Sequence, residues 1–230
     1  MGLFLLIAVA IVSFIVQWRF KSKFKQYSEV GLSSGLSGQQ IAEKMLADHG
    51  ISDVKIISVE GQLTDHYNPA DKTVNLSPEV YHGRSVAAAA VASHECGHAV
   101  QHAKAYGWLQ FRSSMVPAVS VASRLVQWTL MIGVLLLAFS GNQLVLAVGV
   151  AALAIVTLFS FITLPVEFDA SRRALAWLNT SGSTTIGSSS EHEQAKDALW
   201  WAAMTYVVAA LGSLATLLYY ASMLMGNRRD

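Results

Sequence analysis

The sequence predicts a mainly α-helical, integral-membrane protein with about four transmembrane helices and a small α+β domain containing a β-hairpin. Three observations predict it. Hydrophobic residues make up 53% of the 230 residues and charged residues only 13%. The apolar residues fall in four long runs, each able to reach the roughly 20 residues that cross a hydrocarbon core. Between the first and second runs lies a polar stretch of mixed helix and strand character. The net charge of +1 and the lack of a basic stripe exclude nucleic acid as a partner. The single cysteine, Cys96, has no partner for an internal disulfide, which is compatible with a reducing compartment.

The first run, Gly2–Trp18, is uncharged and is followed at once by Arg19, Lys21, Lys23 and Lys25. A cleaved signal peptide has the opposite order, so residues 1–18 read as a retained anchor. Basic flanks stay on the cytoplasmic side, which puts residue 19 onward inside. Residues 19–115 read as a folded cytoplasmic layer. Leu36, Ile41, Met45 and Leu46 have helical spacing, with Gly50 as a stop. "VKIISVE" is a β-branched strand bounded by Gly61, Asn68-Pro69 is a turn, and Thr73–Leu76 is a second short strand. Ser77 and Pro78 open a helix, and a longer helix is expected from about Ser85 to about Tyr106, ended by Gly107.

Residues 116–166 read as a transmembrane hairpin, with runs Val119–Phe139 and Leu144–Val166 joined by the uncharged loop "SGNQ". Arg124 can snorkel from the cytoplasmic end of its run. Residues 167–197 combine a helix beginning after Pro165 with a Ser/Thr/Gly-rich stretch, Thr180–Ser190, expected to be a mobile tether. Residues 198–230 form the last span, flanked by Trp200-Trp201 and Tyr219-Tyr220 as interfacial belts. Four crossings put the C-terminal "NRRD" outside, against the positive-inside bias. No internal repeat is present.

The chemistry sits in "VASHECGHAVQH", where His94-Glu95-Cys96-Gly97-His98 is an H-E-x-x-H pattern. On a helix, residues i and i+4 share a face, so His94 and His98 can bind one ion. Glu95, offset by about a hundred degrees, can hold a water without binding the metal. The competing account, two core histidines and a buried glutamate, carries the cost of a glutamate with no partner on an apolar helix. A catalytic zinc needs three protein ligands and an open position. His102 is one more turn along, but i, i+4 and i+8 spread over about 12 Å, too far for one ion. His66, His82 and His192 read as structural rather than ligating. Glu167 is the better third ligand: two crossings separate it from His98, so it returns to the same face. An interfacial residue paired with Arg172 or Arg173 is its bland alternative. Cys96 reads as a small buried apolar residue.

"LTDHYNPADKTVNLSPEVYHGRSVAAAAVASHECGHAVQH", "LPVEFDASRRAL" and "AKDALWWAAMTYVVAAL" together resemble the neutral zinc metallopeptidase family of bacterial membrane proteins, the YugP type. The resemblance covers most of the chain in order. It implies a zincin-like cytoplasmic metallopeptidase domain, one Zn2+ held by His94, His98 and Glu167, Glu95 as the catalytic glutamate, and a multi-pass protein of the bacterial plasma membrane. More distantly, the arrangement is similar to integral-membrane heat-shock-type metallopeptidases, which often carry an aspartate four residues after the glutamate ligand. Here that position is Ser171, and Asp169 lies two residues after, so Asp169 is a candidate to orient a histidine. His66, Tyr67, Arg173 and His192 are candidate donors to a developing oxyanion.

The expected activity is a membrane-bound zinc endopeptidase whose partners are the bilayer and a protein or peptide substrate. A homo-oligomer or a membrane scaffold partner is compatible with the spans. The alternative is a non-catalytic membrane assembly subunit with a structural zinc site closed by a fourth ligand, His66 or His102. A transport role is disfavoured, because the spans hold almost no ionisable residue beyond Arg124.

Overall fold

A computed structural model describes residues 2–180 and 187–226. In chain order the elements are α1 (Gly2–Ser28), α2 (Gly38–Asp48), β1 (Lys55–Ser58), β2 (His66–Asn68), β3 (Thr73–Leu76), α3 (Pro78–Tyr81), α4 (Val86–Ala103), α5 (Gly107–Ser140), α6 (Leu144–Thr180) and α7 (Ser189–Gly226). The chain divides into two compact units, and all four long helices contribute segments to both. One unit comprises Met1–Val16, Phe111–Leu164 and Thr205–Asp230; the other comprises Gln17–Gln110 and Pro165–Met204. Part of the Thr180–Ser190 stretch, and all of the "NRRD" end, lie outside the described residues.

The first unit is built from helices long and apolar enough to cross a membrane: α1, α5, α6 and α7. Leu130, Leu146 and Leu153 are buried, with Val126, Val134 and Val150 of the α5–α6 hairpin and Leu217, Tyr220, Met223 and Leu224 of α7 packed around them. Gly133 lets α5 and α6 approach closely, since a Cβ there would stand 2.6 Å from the Leu146 backbone. Thr157 and Ser213 hydroxyls bond each other at 2.7 Å, linking α6 to α7. Large apolar side chains point outward, Phe139 at 88% exposure among them. Such a surface suits hydrocarbon, since soluble monomers rarely expose apolar surface this extensive.

The second unit has a dense core of its own. Ile41, Met45, Val74, Leu76, Val80, Val86 and Val100 are fully buried, and each such aliphatic side chain contributes roughly 1.5–3 kcal/mol by leaving water. Helix α2 starts at a capping box, in which Ser37 accepts from Gln40 N–H and the Gln40 side chain accepts from Ser37 N–H, worth about 1 kcal/mol. Gly50, with φ +69°, takes the left-handed turn that ends it, as expected. The sheet order is β1-β3-β2, with β1 parallel and β2 antiparallel to β3. Strand β3 coincides with the expected Thr73–Leu76, whereas His66–Asn68 pairs as edge strand β2 before the Asn68-Pro69 turn.

Several expected boundaries move. Helix α1 continues past the basic cluster to Ser28. Helix α4 ends at Ala103, and Ala105 at φ 50° makes the left-handed turn; Gly107 begins α5 instead of terminating α4. No helix starts after Pro165. Helix α6 runs through it without a break, so Glu167 lies mid-helix in a rod that began at Leu144. Proline removes a single N–H, and the rest of the i→i−4 ladder carries the helix onward.

Candidate metal centre

Helix α4 carries the H-E-x-x-H residues. Ser85 caps it by accepting from Ala88 N–H, and its first turns are the small side chains Ala87 to Ala90, all buried. The segment is helical because alanine pays no side-chain entropy, and buried because its narrow face admits close neighbours. Cys96 is buried against α2, its thiol 3.7 Å from the Ala42 carbonyl; burial pushes its pKa well up, as befits a small apolar residue.

His94 and His98 sit one turn apart with rings edge to face, centroids 4.9 Å apart. Glu167, 2% exposed, comes from α6. Its Oε2 is 3.3 Å from His94 Nε2 and 3.6 Å from His98 Nε2. What permits this is Gly97, between the histidines: a Cβ there would lie 2.5 Å from the Ala170 carbonyl oxygen of α6. Any larger residue would hold α6, and Glu167 with it, away from α4.

Ligand atoms of His94, His98 and Glu167 lie within 4.8 Å of one another. Two ligand atoms about 2.0–2.1 Å from a tetrahedral zinc stand roughly 3.3–3.4 Å apart, so the two Nε2–Oε2 spacings fit the ion. The donor chemistry fits too, with two imidazoles and one carboxylate. Each imidazole meets Glu167 through Nε2 and is held through Nδ1: His94 by Ser171 Oγ at 3.1 Å, His98 by Gln101 Oε1 at 3.0 Å. Gln101 in turn donates to the Val166 carbonyl at 2.8 Å and to Asp169 Oδ2 at 3.0 Å. Asp169 therefore reaches a histidine through Gln101 rather than directly. It also accepts from Arg172 Nη2 and, at 2.5 Å, from Arg173 Nε.

Glu95 is buried beside this cluster. Burial pushes its carboxyl up to about 7; the Glu167 and Asp65 carboxylates add to the rise, while His94 and the Tyr67 backbone N–H oppose it. That last contact places edge strand β2 over Glu95. Asp65, just before β2, is tied down by accepting from Ser77 N–H and Ser77 Oγ, so the Ser77 hydroxyl serves Asp65 and not the helix it precedes.

The remaining candidates lie outside the ligand group. His66 is exposed, with Nδ1 2.7 Å from the Thr64 carbonyl. The Tyr67 hydroxyl bonds His102 Nδ1 at 2.7 Å, so His102 serves the β2–α4 contact and is outside the ligand group. The Arg173 guanidinium bonds Asp169 and lies over the Tyr106 ring, 5.6 Å from its centroid. His192 lines a cavity of about 470 Å3 with Ser171, Arg172, Leu175 and Lys196. Gln101 and Gly97 are the residues that sequence reasoning passed over. Gln101 offers one signal, an uncharged polar residue three positions after His98 in an otherwise apolar turn.

No solved structure matches the chain. Across 228 residues it is 40% identical to the "Putative membrane protease YugP" of Bacillus subtilis (strain 168), covering 99% of this chain and 98% of that protein. Residues 2–225 match the family described as "Putative neutral zinc metallopeptidase", and the chain belongs to that family.

Proposed function

We propose that the protein is a membrane-bound zinc endopeptidase of the glutamate-zincin type, with His94, His98 and Glu167 as metal ligands and Glu95 as the catalytic base. The observation that carries this is the convergence of the two Nε2 atoms on Glu167 Oε2, with Glu95 alongside. Zinc, when bound, supplies a Lewis acid that polarises a scissile carbonyl and makes water acidic near neutrality. Glu95 takes the proton of the attacking water and hands it to the leaving amine. The edge strand β2 gives an extended substrate backbone partners, and Tyr67 N–H sets its height above Glu95.

A structural zinc would require a fourth protein ligand. Among the described residues the ligand group has three members, and His66 and His102 are hydrogen-bonded away from it. This supports the catalytic reading over the assembly-subunit one. The basic residues after the first apolar run support a cytoplasmic site, and the nearby spans support membrane-associated or unfolded proteins as substrates.

The test is to purify the wild type and Glu95→Gln in detergent, measure zinc per chain, and assay cleavage of an unfolded protein such as casein. Both are expected to hold one zinc, with cleavage reduced roughly 10²–10⁴-fold in the variant. A wild type prepared without chelator that holds no zinc, or a variant that cuts at the wild-type rate, overturns the reading.

A further inference from the structure

The hydrogen bonds of Gln101 determine more than its own position. Its side chain is wholly buried, at 0% exposure, on the turn of α4 after His98. One end of its amide faces the Val166 carbonyl and Asp169 Oδ2. A peptide carbonyl only accepts, and Asp169, receiving both arginines, accepts as well. That end must therefore be the NH2 group. The other end is then the oxygen, which can only accept, and it faces His98 Nδ1 at 3.0 Å. His98 must carry its proton on Nδ1, which leaves the Nε2 lone pair directed toward Glu167. At His94 the equivalent partner is the Ser171 hydroxyl, which can donate or accept and so selects no tautomer.

We infer that Gln101 is a positioning residue with two tasks: it fixes His98 in the tautomer whose Nε2 can bind a metal, and it ties α4 to the α6 backbone at Val166, the residue before Glu167. The outer anchor is the Arg173–Asp169 pair, itself steadied by the Tyr106 ring. The histidine and the carboxylate are thus set by one buried amide before an ion arrives. Outer partners of metal ligands typically govern 10–100-fold in affinity. The inference rests on the reading of His94, His98 and Glu167 as metal ligands.

The test uses the full chain in detergent, stripped of metal, with zinc affinity measured by competition against a chromophoric chelator. Gln101→Met keeps the volume and removes every donor and acceptor. It is expected to bind zinc 10–100-fold more weakly. Cobalt(II) loaded to saturation gives a second readout: the visible bands of Gln101→Met shift or weaken, which a merely loosened core would not cause. If Gln101→Met does not fold, Asp169→Asn decides the matter. A weakened affinity there supports the anchored chain, and an unchanged one overturns it. Wild type that binds no zinc overturns the metal reading and this inference together. Wild type that binds zinc, with Gln101→Met equally tight and spectrally identical, overturns this inference alone.

Discussion

The two units of this molecule use the same packing device to different ends. In the first, Gly133 brings α5 against the Leu146 backbone of α6. In the second, Gly97 brings α4 against the Ala170 carbonyl of the same long helix. At Gly133 the close approach produces dispersion contacts between apolar helices and nothing else. At Gly97 it places two imidazoles and a carboxylate within reach of one ion. A glycine at a helix crossing is therefore not informative by itself; its meaning comes from what stands one turn to either side. Around Gly133 those neighbours are Leu130, Leu137 and a Thr129 whose hydroxyl is turned back on its own helix, and around Gly97 they are His94, His98 and, on α6, Glu167 and Ser171.

Gly97→Ala breaks the comparison most sharply. The added methyl meets a backbone oxygen that no side-chain rotation can move, so α6 must shift and Glu167 with it. Zinc affinity is expected to fall at least 100-fold, read by chelator competition, and peptide cleavage should be lost with it; 10–100-fold is what outer partners alone command. Gly133→Ala tests the other side. Overpacking there costs about 1–3 kcal/mol, seen as a lower melting temperature in detergent, yet zinc affinity is expected to stay within about threefold, below the effect of an outer-partner change. A Gly133→Ala protein that loses zinc as Gly97→Ala does would erase the distinction between the units.

The smallest effect concerns buried charge, which the second unit holds in Glu95. Its carboxyl is raised from 4.5 to about 7 in the folded, metal-free protein. A raised carboxyl means that ionisation is harder folded than unfolded. The contribution of Glu95 is fully present below its unfolded pKa and is lost as pH climbs through about 7. Chelated wild type should therefore lose melting temperature between pH 4.5 and 7 relative to chelated Glu95→Gln. Parallel pH curves for the two proteins would show that Glu95 is more solvated than its position implies.

Much of this was legible from residues alone, for reasons that can be stated. The four apolar runs announce spanning helices because hydrocarbon demands them, whatever their neighbours. The β-branched Thr73–Leu76 is a local signal, and that strand formed where expected; the motif helix began where expected but ended at Ala103, short of Tyr106. Glu167 could be reached by counting crossings, since an even number returns the chain to one face. Gln101 and Gly97 could not, because their roles depend on which part of α6 lies across from them, a non-local fact. Ser171 had been weighed only as an absence of aspartate, and its bond to His94 emerged once α6 was in place. Pro165 misled because a proline reads as a boundary, while here a single missing N–H leaves the helix continuous.

That α6 carries Glu167 mid-helix has a consequence in time. During synthesis the two histidines leave the ribosome about 70 residues before the glutamate, roughly 4–14 s earlier at 5–20 residues per second. Throughout that interval the nascent chain has His94, Glu95 and His98 without Glu167. On the proposed reading the metal site therefore cannot assemble until α5 and α6 have been made, and their synthesis holds the activity back.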